Sequence, residues 1–366
     1  MSPAATAMSA PVCDLVLLTW NRKDLLEPCV DRLLAHTRLP CRLLIVDNGS
    51  TDSETLAYLA KLDGTSAMDI RIVRLPQNRG IAAALNAGLR NTSAPWVCLL
   101  NNDVLVTEGW LEEMMRVAEA DPAIGLVNPM SNEFNVVPLA GEAIDDVARR
   151  RRRSRGGWLE NWQAIGFCVL FSRALLEEVG YWDEAIGSMY FEDTDYSLQV
   201  RRTGRICVIA EGAYVFHHKS ATINHDPMRH EKFRTGRERL YGKWGLSPPQ
   251  RIAYVLPAAP AALARAAVQV RGLANEGHEV GVIVFSGAAG TIRRHLQVRV
   301  TAVPGWWLWP AALWRVLVKK KRFERIIVSS AGLARLLRWL RVLHRASVEL
   351  EPGGMRAGVA AQLERV

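Results

Sequence analysis

Short apolar runs alternate with longer amphipathic stretches through the first hundred residues. Residues 12–18 read as a strand buried on both faces. Lys23–His36 reads as a helix, with Leu25, Leu26, Val30, Leu33 and Leu34 at helical spacing. The pattern then predicts strands over 43–46, 70–75 and 96–100, with helices over 55–61 and 81–90 between them. Strand and helix alternating at this pitch predict a mostly parallel sheet with helices on both faces. Ligands of such sheets sit beyond the carboxyl ends of the strands. Thr19-Trp20-Asn21-Arg22, Asp47-Asn48-Gly49-Ser50 and Asn101-Asn102-Asp103 all fall at strand ends, so three polar clusters converge on one edge.

From Gly109 the alternation is less regular. A helix over 110–119 and a strand over 124–128 are legible, but residues 131–157 read as a polar connection. It holds five consecutive arginines, Arg149 to Arg153, and then Arg155. Their mutual repulsion predicts a mobile loop, either a lid or simply a solvated segment. Leu246-Ser247-Pro248-Pro249-Gln250 reads as a linker between a domain over 11–245 and a smaller α/β domain over 251–350. In the latter, a strand over 251–256, a helix over 261–276 closed by Gly277, and strands over 279–285 and 325–328 are expected. Trp306-Trp307-Leu308-Trp309-Pro310, followed by the basic run 319–322, reads as a helix packed on that second sheet or as a membrane-surface element.

At 366 residues, 49% hydrophobic and 23% charged, the chain has room for two domains with sizeable cores. Its net charge of +9 favours anionic partners such as nucleotide diphosphates, lipid phosphates or an acidic membrane face. No nucleic-acid motif accompanies that charge. The six cysteines lack CxxC spacing, and several lie in apolar runs, which predicts buried free thiols in a reducing cytosol. Residues 1–10 show no signal-peptide pattern, and no apolar run approaches the roughly 20 residues that span a bilayer. The expected location is cytoplasmic, with peripheral contact at the inner membrane face open.

The densest chemistry lies in Tyr190-Phe191-Glu192-Asp193-Thr194-Asp195, followed later by His217-His218. Glu192, Asp193 and Asp195 crowd like charges, which raises a carboxyl pKa and suits a general base. The plainer reading is an acidic helix start that complements the macrodipole, and the two are compatible. Asp103 offers a hard oxygen and His218 or His217 an imidazole, a pair suited to Mg²⁺ or Mn²⁺. A metal, a diphosphate and a base together describe sugar transfer from a nucleotide sugar.

The segments carrying these residues run in a recognisable order: Leu17-Leu18-Thr19-Trp20-Asn21-Arg22, Ile45-Val46-Asp47-Asn48-Gly49-Ser50-Thr51-Asp52, Asn78-Arg79-Gly80 with Asn86, Leu100-Asn101-Asn102-Asp103, Gly166-Phe167-Cys168-Val169-Leu170-Phe171-Ser172-Arg173, and Glu192-Asp193. Over residues 13–222 the chain resembles the inverting family 2 glycosyltransferases of the GT-A fold. The resemblance implies a nucleoside pocket lined by Thr19, Asn21 and Asp47, with Asp47 reading the base, and puts Asn78 to Gly80 near the diphosphate or ribose. Arg22 and Asn102 are expected among the nucleotide-sugar contacts, and a divalent metal on Asp103 and His218. Asp193, with Glu192 beside it, matches the catalytic base, and Asp195 and Trp162 are expected at the acceptor. Asn101 replaces the first acid of the DxD-type motif, a version familiar among rhamnosyltransferase-like members. The implied donor is a UDP- or dTDP-sugar, and the implied acceptor a carbohydrate or glycolipid.

Residues 251–350 resemble, more loosely, the first half of a GT-B Rossmann domain, with Pro257-Ala258-Ala259-Pro260 in place of its Gly-rich loop. Two other functions stay open. A sugar-phosphate nucleotidyltransferase shares such a sheet, but Thr19-Trp20-Asn21-Arg22 is not its phosphate loop. A non-catalytic nucleotide- or sugar-binding scaffold is compatible with Asn101.

Overall fold

The computed structural model of the chain describes residues 10–62, 68–187, 189–219, 228–256, 260–318 and 322–351. Residues 257–259, the lysines 319–321 and the end of the family resemblance at Thr222 lie outside the described residues. The described residues form two compact units, one within 10–159 and 163–245, the other within 160–162 and 246–351.

The first unit runs β1 (Cys13–Thr19), α1 (Lys23–His36), β2 (Cys41–Asp47), α2 (Ser53–Leu62), β3 (Asp69–Arg74), α3 (Ile81–Leu89), β4 (Trp96–Asn101), β5 (Val104–Val106), α4 (Trp110–Ala120) and β6 (Ile124–Ser131). It continues with α5 (Ile144–Arg151), β7 (Trp158–Asn161, whose last two residues group with the second unit), β8 (Cys168–Ser172), α6 (Arg173–Val179), α7 (Glu192–Arg202), β9 (Ile206–His217) and α8 (Arg229–Trp244). The strands form one sheet in the order β3-β2-β1-β4-β8-β6-β9-β5, with β7 paired to β9. Strands β3, β2, β1 and β4 are parallel, whereas β8 runs antiparallel to both β4 and β6.

Strand residues alternate between two apolar layers, as a sheet buried on both faces requires. Leu15, Leu17, Leu43 and Ile45 pack with α1 and α4, whereas Val16, Leu44 and Val46 pack with α3, α6 and α7. The expected α/β architecture is therefore present, a mixed, mostly parallel sheet covered on both faces. All six cysteines are free and buried in these apolar layers.

At the amino ends of the strands sits a buried ion pair. Asp14 is fully buried, and the Arg42 guanidinium grips it with two hydrogen bonds of 2.9 Å. Asp14 also accepts the backbone N–H groups of Ser93 at 2.6 Å and Ala94 at 2.8 Å. Asp14 and Arg42 are register partners on β1 and β2, and Ser93–Ala94 lead into β4.

One expectation fails. The arginine run is no loop: residues 144–151 form α5, whose buried Val147 and Ala148 pack on β9. Its first turn carries Asp145 and Asp146 and its last turn the arginines, the arrangement that complements a helix dipole. Repulsion is relieved because the arginines are partnered with carboxylates: Arg149 with Asp146, Arg150 with Glu142 (3.1 Å), Arg151 with Glu211 (3.7 Å) and Arg152 with Glu108 (2.7 Å). Residues 149–152 are thus not a free basic surface.

In the second unit, β10 (Arg251–Val255), α9 (Pro260–Asn275), β11 (Glu279–Phe285), β12 (Val298–Val303), α10 (Leu308–Val318), β13 (Arg325–Val328), α11 (Ala331–Trp339), α12 (Arg341–His344) and β14 (Ser347–Leu350) follow in order. They build a five-stranded parallel sheet, β12-β11-β10-β13-β14. The sequence pattern missed β12 and β14, whose residues are only half buried.

Replacing Arg42 by Met should leave the Asp14 carboxylate buried without its counter-ion, at a cost of about 3–5 kcal/mol. Urea unfolding followed by circular dichroism should show that loss, and the double variant Asp14→Asn/Arg42→Met should recover part of it.

Candidate active site

The parallel register aligns the carboxyl ends of three strands. Thr19 pairs with Asp47, and Leu18 with Asn101, so the loops after β1, β2 and β4 share one edge. Asn21 ties two of them together. It adopts φ 55, a left-handed conformation that asparagine tolerates. Its N–H donates to Ser50 Oγ at 2.7 Å, and its Oδ1 accepts the N–H groups of Thr51 and Asp52. Gly49, at φ +78, packs so tightly that a Cβ would lie 2.4 Å from the Gln77 carbonyl carbon. Asn48 closes the third side, donating to Asn78 Oδ1 and the Gly80 carbonyl and accepting from the Arg79 N–H.

Asn78 and Gly80 therefore shape the loop wall, and Asn78 Oδ1 is further occupied by the Gly80 N–H. Asn102 Nδ2 donates to Thr19 Oγ1 at 3.0 Å. Arg22 forms two hydrogen bonds with Asp24. Asp47 is fully buried; its Oδ1 accepts the Ser50 N–H, while its Oδ2 has no hydrogen-bond donor and only Arg74 Nε nearby at 3.5 Å.

Asp103 follows on the same edge. Its Oδ1 is buried without an aligned donor, and the nearest group is His217 Nε2 at 3.2 Å. The other ring nitrogen, Nδ1, contacts Glu133 Oε1 at 2.8 Å, and the Phe167 ring stacks on the imidazole. Burial favours the neutral His217 ring, but the two carboxylates outweigh it and raise it to about 9. His217 holds Glu133 below the usual carboxylate range through their hydrogen bond.

The imidazole beside Asp103 is thus that of His217. The side chain of His218 is exposed; only its backbone N–H meets Asp103, at the carbonyl. β9 is buried on both faces through Tyr214 and Val215, and only at its end does burial separate His217 from the exposed His218. Glu133, in the short turn after β6, left no mark in the spacing.

Next to this cluster lies a pocket of about 240 Å³, lined among others by Asn101, Glu133, His217, Glu192, Asp193 and Tyr196. Glu192 and Asp193 open the first turn of α7, behind two consecutive left-handed residues, Tyr190 (φ 70) and Phe191 (φ 69). The Phe233 ring of α8 packs against both aromatic rings, and Gly236 leaves room for the bend. Asp193 is rigidly held, its carboxylate accepting the Gly166 N–H at 2.9 Å and the Thr194 N–H at 2.7 Å. A Cβ on Gly166 would come 3.4 Å from the Asp193 Cβ, so the Gly166-Phe167 turn is the seat of that carboxylate. Glu192 Oε2 is buried and unpartnered; desolvation, reinforced by the Asp193 charge, pushes Glu192 up to about 8. Asp193 is also raised, by desolvation.

Neither of the two residues expected at the acceptor lines this pocket. Asp195 sits two positions further round α7, and its carboxylate is taken by Lys243, Trp244 Nε1 and Gln199, so it fastens α8 to α7. Trp162 groups with the second unit, where a Cβ on Gly277 would meet its ring at 3.5 Å. The pocket instead offers aromatic residues that spacing did not single out, Trp182 stacked on Tyr196 at 3.5 Å, with the Tyr196 hydroxyl buried and unpartnered.

A divalent cation fits Asp103 and His217 on chemical grounds. The carboxylate oxygen lacks a donor, and Glu133 orients the ring from behind, as carboxylates commonly do for metal-bound histidines. Among the described residues no set of three His, Cys, Asp or Glu side chains converges on one point. Asp103 and His217 would be the residues to hold such an ion, which would supply charge to offset that of a bound diphosphate.

Residues 14–180 match the family described as Glycosyl transferase family 2. An O-antigen biosynthesis protein of Myxococcus xanthus is 28% identical over 59% of this chain and 18% of its own length. An N-acetylglucosaminyl-diphospho-decaprenol L-rhamnosyltransferase of Mycobacterium tuberculosis is 25% identical over 60% of this chain and 80% of its own. An uncharacterized Sinorhizobium fredii protein is 25% identical over 64% of this chain, which spans only 28% of that relative's length. A mannosyltransferase of Pyrobaculum calidifontis, solved with GDP-Man and Mn²⁺, superposes over 72% of this chain and 75% of its own with a TM-score of 0.45 at 18% identity. The match to glycosyltransferase family 2 covers just under half of the chain.

Proposed function

We propose that the first unit transfers a glycosyl group from a UDP- or dTDP-sugar to a hydroxyl of a carbohydrate or glycolipid acceptor, with inversion, in polysaccharide or glycoconjugate synthesis. One observation carries this reading. Acids far apart in sequence, Asp47, Asp103 and Glu192, reach one edge of the sheet with buried oxygens that no donor satisfies. Buried polar atoms without partners are rare in folded proteins and point to an absent ligand. Asp47 Oδ2 suits the imide N–H of a uracil or thymine ring, and Thr19 and Asn21 flank it. The Asn101-Asn102-Asp103 version of the motif and the rhamnosyltransferase relative favour a deoxyhexosyl donor.

In the proposed reaction the acceptor hydroxyl enters the pocket beside Asp193. Glu192 and Asp193 titrate as a pair, and burial keeps one proton on them near neutrality. Glu192 holds that proton, because Asp193 has two backbone N–H groups to stabilise its charge. Asp193 takes the acceptor proton as the acceptor oxygen bonds to the anomeric carbon. The bond from that carbon to the diphosphate oxygen breaks, and a single displacement inverts the centre. Asp103 and His217 would hold a Mg²⁺ or Mn²⁺ ion, whose charge offsets that of the departing diphosphate. The second unit takes no part in the chemistry.

Asp193→Asn tests the reading. The variant should lose about two to four orders of magnitude in nucleotide-diphosphate release from UDP- or dTDP-sugars while binding the nucleotide as before. Wild-type protein that binds nucleotide yet never releases diphosphate with any acceptor would instead be a scaffold.

A second outcome follows from the raised Glu192. Its folded pKa of about 8 exceeds the ordinary 4.5, so its stabilising protonation is complete below pH 4.5 and is lost as pH rises through 8. Glu192→Gln removes that dependence. Urea denaturation should find the variant more stable than wild type above pH 8, with the difference shrinking towards pH 5.

A further inference from the structure

The second unit carries an unpartnered face. Helices α10 and α11 cover the same side of its sheet, burying Ala311, Ala312, Val316, Leu333, Ala334 and Leu337 in one apolar cluster. Helix α12 contacts both of them. The outer side of this layer carries large apolar side chains among its arginines. Trp306 is 79% exposed, Trp314 68%, Trp339 79% and Val342 86%, with Trp307, Leu317, Val318 and Leu343 also exposed. Trp314, Leu317 and Val318 follow helical spacing opposite the buried residues of α10, so this helix is apolar on its inner and outer sides alike. Soluble surfaces rarely gather large apolar side chains in this way without an occupant.

The charge around them is one-sided. Among the described residues from Val280 to Val348 there are ten arginines and one acid, Glu324. Arg322, Arg335, Arg341 and Arg345 are exposed and form no ion pair among the described residues. Tryptophan favours the level of lipid headgroups, where its ring is in apolar surroundings and its N–H meets water. Arginines flanking such rings add attraction to anionic lipids. Leu317, Val318, Val342 and Leu343 would enter the acyl boundary, as the aliphatic side of an interfacial helix does.

We propose that the α10–α11–α12 face of the second unit is a docking surface for an anionic lipid bilayer. A second copy of this chain is disfavoured, because it would set arginine against arginine. A single-stranded nucleic acid could stack on the tryptophans but has nothing to match the exposed aliphatic residues. The proposal rests on the second unit alone and is independent of which sugar the first unit transfers.

Vesicle sedimentation of the full chain tests it, with phosphatidylcholine alone and mixed with phosphatidylglycerol. Wild-type protein should bind the mixed vesicles at least about tenfold more tightly, and added salt should weaken the binding. Two variants confined to exposed positions, Trp306→Ser/Trp314→Ser/Trp339→Ser and Arg335→Gln/Arg341→Gln, should each lose about tenfold or more while keeping the wild-type circular dichroism. Equal binding to both vesicle types would overturn the proposal, as would variants that bind like wild type. So would a wild-type dimer that the tryptophan variant dissolves, or tight oligonucleotide binding, when either occurs without vesicle binding.

Discussion

Asp14 holds three strands at once. Its carboxylate takes the guanidinium of Arg42 on β2 and the two N–H groups that lead into β4. With this end pinned, the parallel register runs unbroken to the opposite edge, where Thr19 and Asp47 abut and Asn101 stands beside Leu18. A slip of one residue would turn every side chain of a strand to the other face. The loops after β1, β2 and β4 would then no longer share an edge. The candidate site depends on a buried ion pair at the far end of the sheet that none of its own residues touches.

At the near edge, stability is given up locally. Non-glycine residues occupy left-handed conformations at Asn21, Arg22, Tyr190 and Phe191, each at a cost of about 1 kcal/mol or more. Surrounding contacts enforce each pair: Ser50, Thr51 and Asp52 fix Asn21, and α8 clamps Tyr190 and Phe191. Asp195 secures that clamp through Lys243 and Trp244. The strained bends stand beside Asp47 and Glu192, each with one buried oxygen left unsatisfied. Such a site is organised before its ligand arrives.

Much of this was legible in the sequence because the strands of the first unit are buried on both faces and read as continuous apolar runs. The helix Lys23–His36 was read with its observed bounds, and the strand ends carrying Thr19, Asp47 and Asn101 were found within a residue. Illegible features depended on tertiary partners. The arginine run became a helix because Glu108 and Glu211, distant in sequence, and the nearby Glu142 and Asp146 answer its charges. Asp195 looked like part of an acidic cluster, but two residues along a helix turn a side chain to the far side, where α8 waits. Neither the choice of His217 over His218 nor Glu133 behind it could be found except from the fold, because β9 is buried on both faces.

The central claim is that the carboxyl edge of β1, β2 and β4 binds a nucleotide diphosphate through Asp47 and, with a cation, through Asp103 and His217. Thermal unfolding with UDP, dTDP or GDP, each with and without Mn²⁺, tests it most directly, since a ligand of the folded state raises the midpoint with occupancy. The account predicts a rise with UDP or dTDP that grows when Mn²⁺ is added and is absent in Asp47→Ala protein. A folded sample whose midpoint no nucleotide moves, with or without Mn²⁺, would contradict it.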